Sequence, residues 1–183
     1  MDETLGARLR RLRDERGCTL SELARRSGIG KGTISELEND RRGARLDTLF
    51  ALTTALDAPL GALLPDGPSA AGPPGTGAVR GDSVAAVLLG RWPAGPQLVE
   101  VYRAELAQTR QDSAPHATGV EETVTVVRGR VRVGPAGGER DLGPGESLRY
   151  PGDRAHRFRA LGGPAEIVLL MHYPDGGPED AAG

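Results

Sequence analysis

The spacing of apolar residues changes once along this 183-residue chain, near residue 65, and that change limits the fold more than any other feature. Before it, apolar residues recur every three or four positions, as on one face of a helix. After it they fall in short runs or alternate in twos, as in strands. Leu5, Leu9 and Leu12 mark a first helix, ended by Gly17 because glycine accepts the left-handed conformation common at helix ends. Thr19 and Glu22 are spaced as a capping box for a second helix through Leu23 and Ala24. Ser27-Gly28-Ile29-Gly30 predicts a short turn, and residues 31–38 a third helix burying Ile34 and Leu37. Residues 46–56 predict a fourth, with Asp47 where the helix dipole favours negative charge. Pro59 predicts the start of a fifth that buries Leu60, Leu63 and Leu64. Residues 1–64 are therefore expected to form a bundle of five short helices.

Residues 65–82 are mainly Pro, Gly, Ala and Ser and predict a flexible linker. From 83 to 174 the expectation is an antiparallel β-barrel or sandwich of about eight short strands. These cover 84–89, 98–106, 124–127, 131–133, 147–150, 156–160 and 166–173, with turns at 135–138 and 143–145. Arg128, Arg130 and Arg132 alternate, which predicts three guanidiniums on one solvated strand face. Residues 175–183 predict a disordered tail.

Composition narrows the chemistry. Aromatic residues make up only 3% of the chain, so the core must be built from Leu, Val, Ala and Ile. Cys18 is the single cysteine, which excludes an internal disulfide and a multi-cysteine zinc site; it reads as a small buried residue. No secretory leader pattern or membrane-length apolar run occurs, so no membrane partner and a cytoplasmic location are expected. Residues 1–64 hold eleven basic against ten acidic residues, so attraction to nucleic acid must come from clustering rather than net charge. Arg8, Arg10, Arg11, Arg13 and Arg16 supply such a cluster.

Residues 19–38 have the layout of a DNA reader: a capped helix, a tight glycine turn, and a second helix that begins with small or flexible side chains. Such a helix can enter the major groove and place its first residues on base edges. Lys31 can reach guanine, and Thr33 or Ser35 a base edge or a thymine methyl. Here the chain resembles the XRE (lambda repressor/Cro-like) family. The resemblance rests on Gly6-x-x-Leu9-x-x-Leu12-Arg13, Leu20-x-x-Leu23-Ala24, Ser27-Gly28-Ile29, Thr33-Ile34-Ser35-x-Leu37-Glu38-Asn39 and Asp47-Thr48-Leu49-x-x-Leu52. It implies Lys31, Thr33, Ser35 and Glu36 facing bases, and Asn39, Arg42 and Arg45 near phosphates. Two positions depart from the pattern: Leu20 stands where many members carry glutamine, and Glu36 where a basic residue is frequent.

All three histidines, His116, His156 and His172, lie in the β-rich half. His116, Glu121-Glu122 and Gly129, followed by Gly145, Pro151-Gly152 and His156, resemble the two signature segments of the cupin superfamily. The resemblance implies a jelly-roll barrel. It also implies a ligand set of two histidines and a glutamate from the first segment and one histidine from the second. His116, Glu122 and His156 match three of these; Ala114 takes the place of the fourth, and His116 is spaced unusually far from Glu122. The expectation is a metal-free pocket lined by these three, with a divalent metal on them as the alternative. Tyr102, Arg103 and Arg149 are expected at its mouth, and His172 as an ordinary strand residue.

The expected function is that of a transcriptional regulator reading double-stranded DNA, with a small-molecule effector in the β-domain and no catalysis. Two half-sites about 34 Å apart would match a homodimer on a palindromic operator. The alternative is a metal-dependent cupin enzyme, an isomerase or dioxygenase, with an accessory DNA-binding domain.

Overall fold

The structure is a computed structural model that describes residues 3–64 and 79–174. The chain divides into two compact units, Met1–Asp66 and Gly67–Gly183. No helix among the described residues is long and apolar enough to cross a membrane.

The first unit contains α1 (Leu5–Glu15), α2 (Leu20–Ser27), α3 (Lys31–Glu38) and α4 (Leu46–Ala55). The expected fifth helix is instead a single 3-10 turn, Leu60–Leu63. Pro59 is extended, and the chain is extended again at Leu64, so too few residues remain to close α-helical rings. The turn still buries Leu60, Leu63 and Leu64 as the spacing predicts. The core is aliphatic, built on Leu9, Leu23, Ile34, Leu37, Leu49 and Leu52, with Cys18 buried at its edge.

Two polar ties hold α3 against α1. At one end, Thr4 Oγ1 accepts from Ala7 N at 3.2 Å to cap α1 and donates to Asp40 Oδ2 at 2.6 Å. Asp40, just past α3, also accepts from Gly6 N at 3.1 Å. Gly6 is required here because a Cβ would lie 2.3 Å from the Leu37 carbonyl oxygen. At the other end, Arg13 donates to both Glu38 oxygens at 2.7 and 3.1 Å and to the Cys18 carbonyl at 2.8 Å. The bonds to Glu38 lead the interactions that raise the Arg13 pKa.

The capping box at α2 is only half made. Thr19 Oγ1 accepts from Glu22 N at 3.1 Å, but the Glu22 carboxylate turns outward to Arg25 and Arg26. Two charged partners within one turn outcompete a single backbone N–H.

The described residues of the second unit form ten strands: β1 (Val79–Arg80), β2 (Val84–Ala94), β3 (Gln97–Leu106), β4 (Gln111–Ser113), β5 (Glu121–Arg128), β6 (Val131–Pro135), β7 (Arg140–Leu142), β8 (Ser147–Pro151), β9 (His156–Ala160) and β10 (Ala165–Tyr173). They form two antiparallel sheets, β1-β2-β3-β10-β5-β8 and β4-β9-β6-β7. Inward positions alternate with outward ones: on β10, Ala165, Ile167, Leu169, Met171 and Tyr173 are buried and the residues between them half-buried.

Two expectations change, and two fall outside the described residues. The β-unit begins at Val79 rather than 83, because Val79 and Arg80 pair with Ala86 and Ala85. The rest of the expected linker, 65–78, and the tail at 175–183 lie outside the described residues. The alternating arginines share no strand face: Gly129, at φ +80, turns the chain between Arg128 on β5 and Arg132 on β6. Arg128 then pairs with Glu166 and Arg132 with Asp141, in different sheets.

Candidate functional site

The first site is α3 and the loop after it. Ser27 and Gly28 make the turn that aims it: Ser27 Oγ donates to Leu23 O at 2.7 Å and accepts from Ile29 N at 3.2 Å, while Gly28 sits at φ +71. Ile34 and Leu37 anchor one face of α3 in the core, and Glu38 is held by Arg13. The opposite face is open. Lys31, Glu36 and Asn39 on or beside α3, with Arg42 and Arg45 in the following loop, are exposed, and Thr33 and Ser35 are half-buried. Asn39 Nδ2 donates to Ser35 O at 2.7 Å, closing the helix end. Arg42 lies 3.6 Å from Glu36, so the acidic departure on this surface is neutralised by its own neighbour.

The second site is inside the β-unit. β5 places Glu122 inward, β8 places Tyr150 beside it, and β9 brings His156 across from the other sheet. His116 comes from the segment after β4, its N–H bonded to Gly152 O at 3.0 Å. Gly152 is needed at this crossing: a Cβ would lie 3.1 Å from Glu122 Cγ and 3.3 Å from His116 Cδ2.

His116, Glu122 and His156 are all buried, and one ligand atom from each lies within 4.8 Å of the others. His116 Nε2 is 2.8 Å from Glu122 Oε1, so that nitrogen carries the proton facing the carboxylate. Tyr150 donates to Glu122 Oε2. His156 Nδ1 donates to the Arg154 carbonyl at 2.8 Å, which leaves Nε2 as the free ring position. That Nε2 is buried, makes no hydrogen bond, and lies 3.4 Å from Glu122 Oε1.

Burial alone would push His156 toward the neutral form. The nearby Glu122 carboxylate and the bond to Arg154 O outweigh it, and the His156 pKa rises. Burial likewise works against a charged Glu122, yet the two imidazoles hold its carboxyl below the usual range. Burial, with Glu122 second, pushes the Tyr150 phenol well up, so it remains a donor.

Residues 9–63 match the helix-turn-helix family HTH_3, and residues 103–173 match the cupin-domain family Cupin_2. The HTH-type transcriptional regulator SutR of Escherichia coli (strain K12) is 30% identical over 174 residues, covering 93% of this chain and 95% of that protein. The chain belongs to the XRE-type helix-turn-helix transcriptional regulators that carry a cupin domain. An HTH_3 family transcriptional regulator from Vibrio cholerae has the same fold, with a TM-score of 0.77 at 23% identity, over 94% of this chain and 96% of that one. The HTH-type transcriptional regulator PrpR of Mycobacterium tuberculosis is 44% identical over 52 residues, which is 28% of this chain and 11% of that protein.

The cupin interior of this regulator corrects part of the expected ligand set. Tyr102 is buried, but Arg103 is exposed on the opposite face of β3, and Arg149 is exposed and bonded to Glu121. Neighbouring strand residues point to opposite faces, so Tyr102 and Arg103 cannot both line the interior. Ala114 is exposed. His172 lies on the outer face near Thr123, at 3.3 Å.

Tyr150 and Glu100 are interior polar residues that escaped the sequence reading. Tyr150 pairs with Glu122 in register. Glu100, fully buried, accepts from Tyr102 OH at 2.5 Å. The signal for Glu100 was present: it shares strand parity with Tyr102, and a buried phenol needs an acceptor.

Proposed function

We propose that this regulator binds a palindromic operator as a homodimer in the cytoplasm, and that a small-molecule effector in the cupin interior sets its affinity for DNA. Residues 1–64 read the operator, with Lys31, Thr33, Ser35 and Glu36 toward bases and Asn39, Arg42 and Arg45 toward phosphates. Residues 65–78 join that unit to the sensor at 79–174. A single short recognition helix gives little affinity, and a twofold operator matches two copies.

The observation that carries the sensor reading is His156 Nε2, buried without a hydrogen bond beside an ionised carboxylate. An unsatisfied polar atom in an interior is costly, so such a site is completed by something that binds. The donors fit a divalent metal: His116, Glu122 and His156 would hold it, and when bound it would offer an open position to an effector oxygen or nitrogen. A proton on His156 meets the same need. Both Glu122 oxygens are already bonded, and His116 Nε2 already carries a proton toward one of them, so the metal-free pocket is the reading adopted. The full-length likeness to a protein named as a transcriptional regulator supports a sensor rather than an enzyme.

The test uses full-length protein, metal analysis, thermal melts, and anisotropy on an operator selected from random duplexes. Metal is expected well below one per chain, and chelator should leave the melting temperature unchanged. An effector drawn from a small-metabolite screen should raise that temperature and shift operator affinity by roughly 5–150-fold. His116→Ala and His156→Ala should abolish the effector response while leaving unliganded DNA binding intact. One metal per chain, lost in both variants, would overturn the metal-free pocket; turnover of a screened compound would restore the enzyme reading.

A further inference from the structure

We propose that the outer face of the six-stranded sheet is where two copies of this chain pair, about a twofold axis that lies in the interface and runs across the strands. The inference rests on the homodimer reading and assigns it a surface.

The strand register maps this face. Directly opposed residues on neighbouring strands share a face, so the pairings can be read as rows across β2, β3, β10, β5 and β8. One row is Ala85, Glu105, Glu166, Arg128, and the next Val87, Arg103, Val168, Thr125, Ser147. A third is Gly90, Val101, Leu170, Thr123, Arg149, and the last Trp92, Val99, His172, Glu121, Pro151. The middle two rows are largely aliphatic or hydroxylic, and the charges lie mostly toward the ends. Val101, Val168 and Leu170 are only half-buried at the centre. The three large hydrophobic side chains exposed among the described residues, Leu89, Trp92 and Val127, belong to strands of this same sheet. Leu89 sits at the β2 bulge and Val127 at the irregularity in β5.

A contact between identical copies must be self-complementary. With the axis between the two middle rows, each row faces the partner's row at equal distance on the other side. Val168 then meets Leu170, Thr125 meets Thr123, small Ala85 meets large Trp92, Glu166 meets His172, and Arg128 meets Glu121. Arg103 lays its aliphatic stem on Val101. No like charges are opposed. An axis along the strands instead sets Glu166 against Glu166 when centred on β10, or against Glu105 when centred between β3 and β10. Centred between β10 and β5 it opposes no like charges but leaves β2, with Leu89 and Trp92, without a facing strand, so charge and coverage together select the axis across the strands. Five strands about 4.8 Å apart and four rows about 6.8 Å apart cover on the order of 650 Å² per copy, near the roughly 800 Å² per partner of a standard interface.

Sedimentation of the full chain over a concentration series tests this. Wild type should be dimeric, and Leu170→Asp should be monomeric. Arg128 is highly exposed, so Arg128→Glu keeps the test open should Leu170→Asp misfold. Arg128→Glu and Glu121→Arg should each raise the dimer Kd about ten-fold, and the double variant should return it to near wild type, because each charge meets the other across the axis. A dimer unaffected by all three single changes would overturn the surface while leaving the homodimer reading intact. A double variant weaker than either single would overturn the axis. Monomeric wild type, with or without operator, would overturn the homodimer reading itself.

Discussion

Gly6→Ala is a one-methyl change whose outcome depends on two opposed effects. Alanine is the better helix former by about 0.5–1 kcal/mol, and less than the full gain is expected in the first turn. Against this, the new Cβ would lie 2.3 Å from Leu37 O and 2.7 Å from Asp40 Oδ1. The Leu37 oxygen is backbone within α3 and cannot rotate away, so α1 and α3 must separate by about 1 Å to reach a tolerable contact. Overpacking of this kind costs about 1–3 kcal/mol, and the separation also stretches the 3.1 Å bond from Gly6 N to Asp40. The net expectation is a loss of about 1–2 kcal/mol. For a unit of this size that lowers the melting temperature by about 5–15 °C. Circular dichroism at 222 nm on the full chain follows the change, since the α-helices among the described residues are all in the first unit. Operator affinity should fall as well, because α3 is the element displaced. An unchanged or raised midpoint would refute the close approach of α1 to α3.

Arg13→Ala leaves Glu38 buried without its main partner and should destabilise the helical unit by about 3–5 kcal/mol; Arg13→Met with Glu38→Leu should recover most of this in urea titrations. Thr33→Ala with Ser35→Ala should lower operator affinity by about 1–3 kcal/mol per lost base contact while leaving random-DNA binding unchanged. Arg42→Ala should weaken both alike and reduce the salt slope by about one; equal effects of all these changes on random DNA would refute the base-reading roles. Hydrogen bonds from Arg25 and Arg26 lower the exposed Glu22 carboxyl to about 2. Its folded value lies below the unfolded one, so its stabilisation is present above the normal carboxylate range and lost as pH falls toward 2. Glu22→Gln should flatten that acid limb in urea midpoints compared at pH 7 and pH 3.

The helices were legible because their signals are local. Thr19 at a cap, Gly17 and Gly28 past helix ends, and leucines at helical spacing act within a turn or two of chain. Local signals misled where a distant or competing partner intervened: Glu22 went to arginines rather than back to the cap, and Pro59 began a turn too short to become a helix. Glu122 and His156 were legible as residue types in a recognisable order, but not as a geometry.

The sequence by itself determined the division into an α unit and a β unit, the position of the helix-turn-helix and the identity of three candidate site residues. Only the tertiary structure decided which side chains share an interior. A strand's two faces differ by one residue in register, and register is set by partners tens of residues away: β10 pairs with β3 on one side and β5 on the other. That pairing turns Tyr102 inward and Arg103 outward, seats Tyr150 on Glu122, and leaves His156 Nε2 without a hydrogen bond. None of these follows from composition or spacing, because each is a relation between strands that are brought together only when the sheets close.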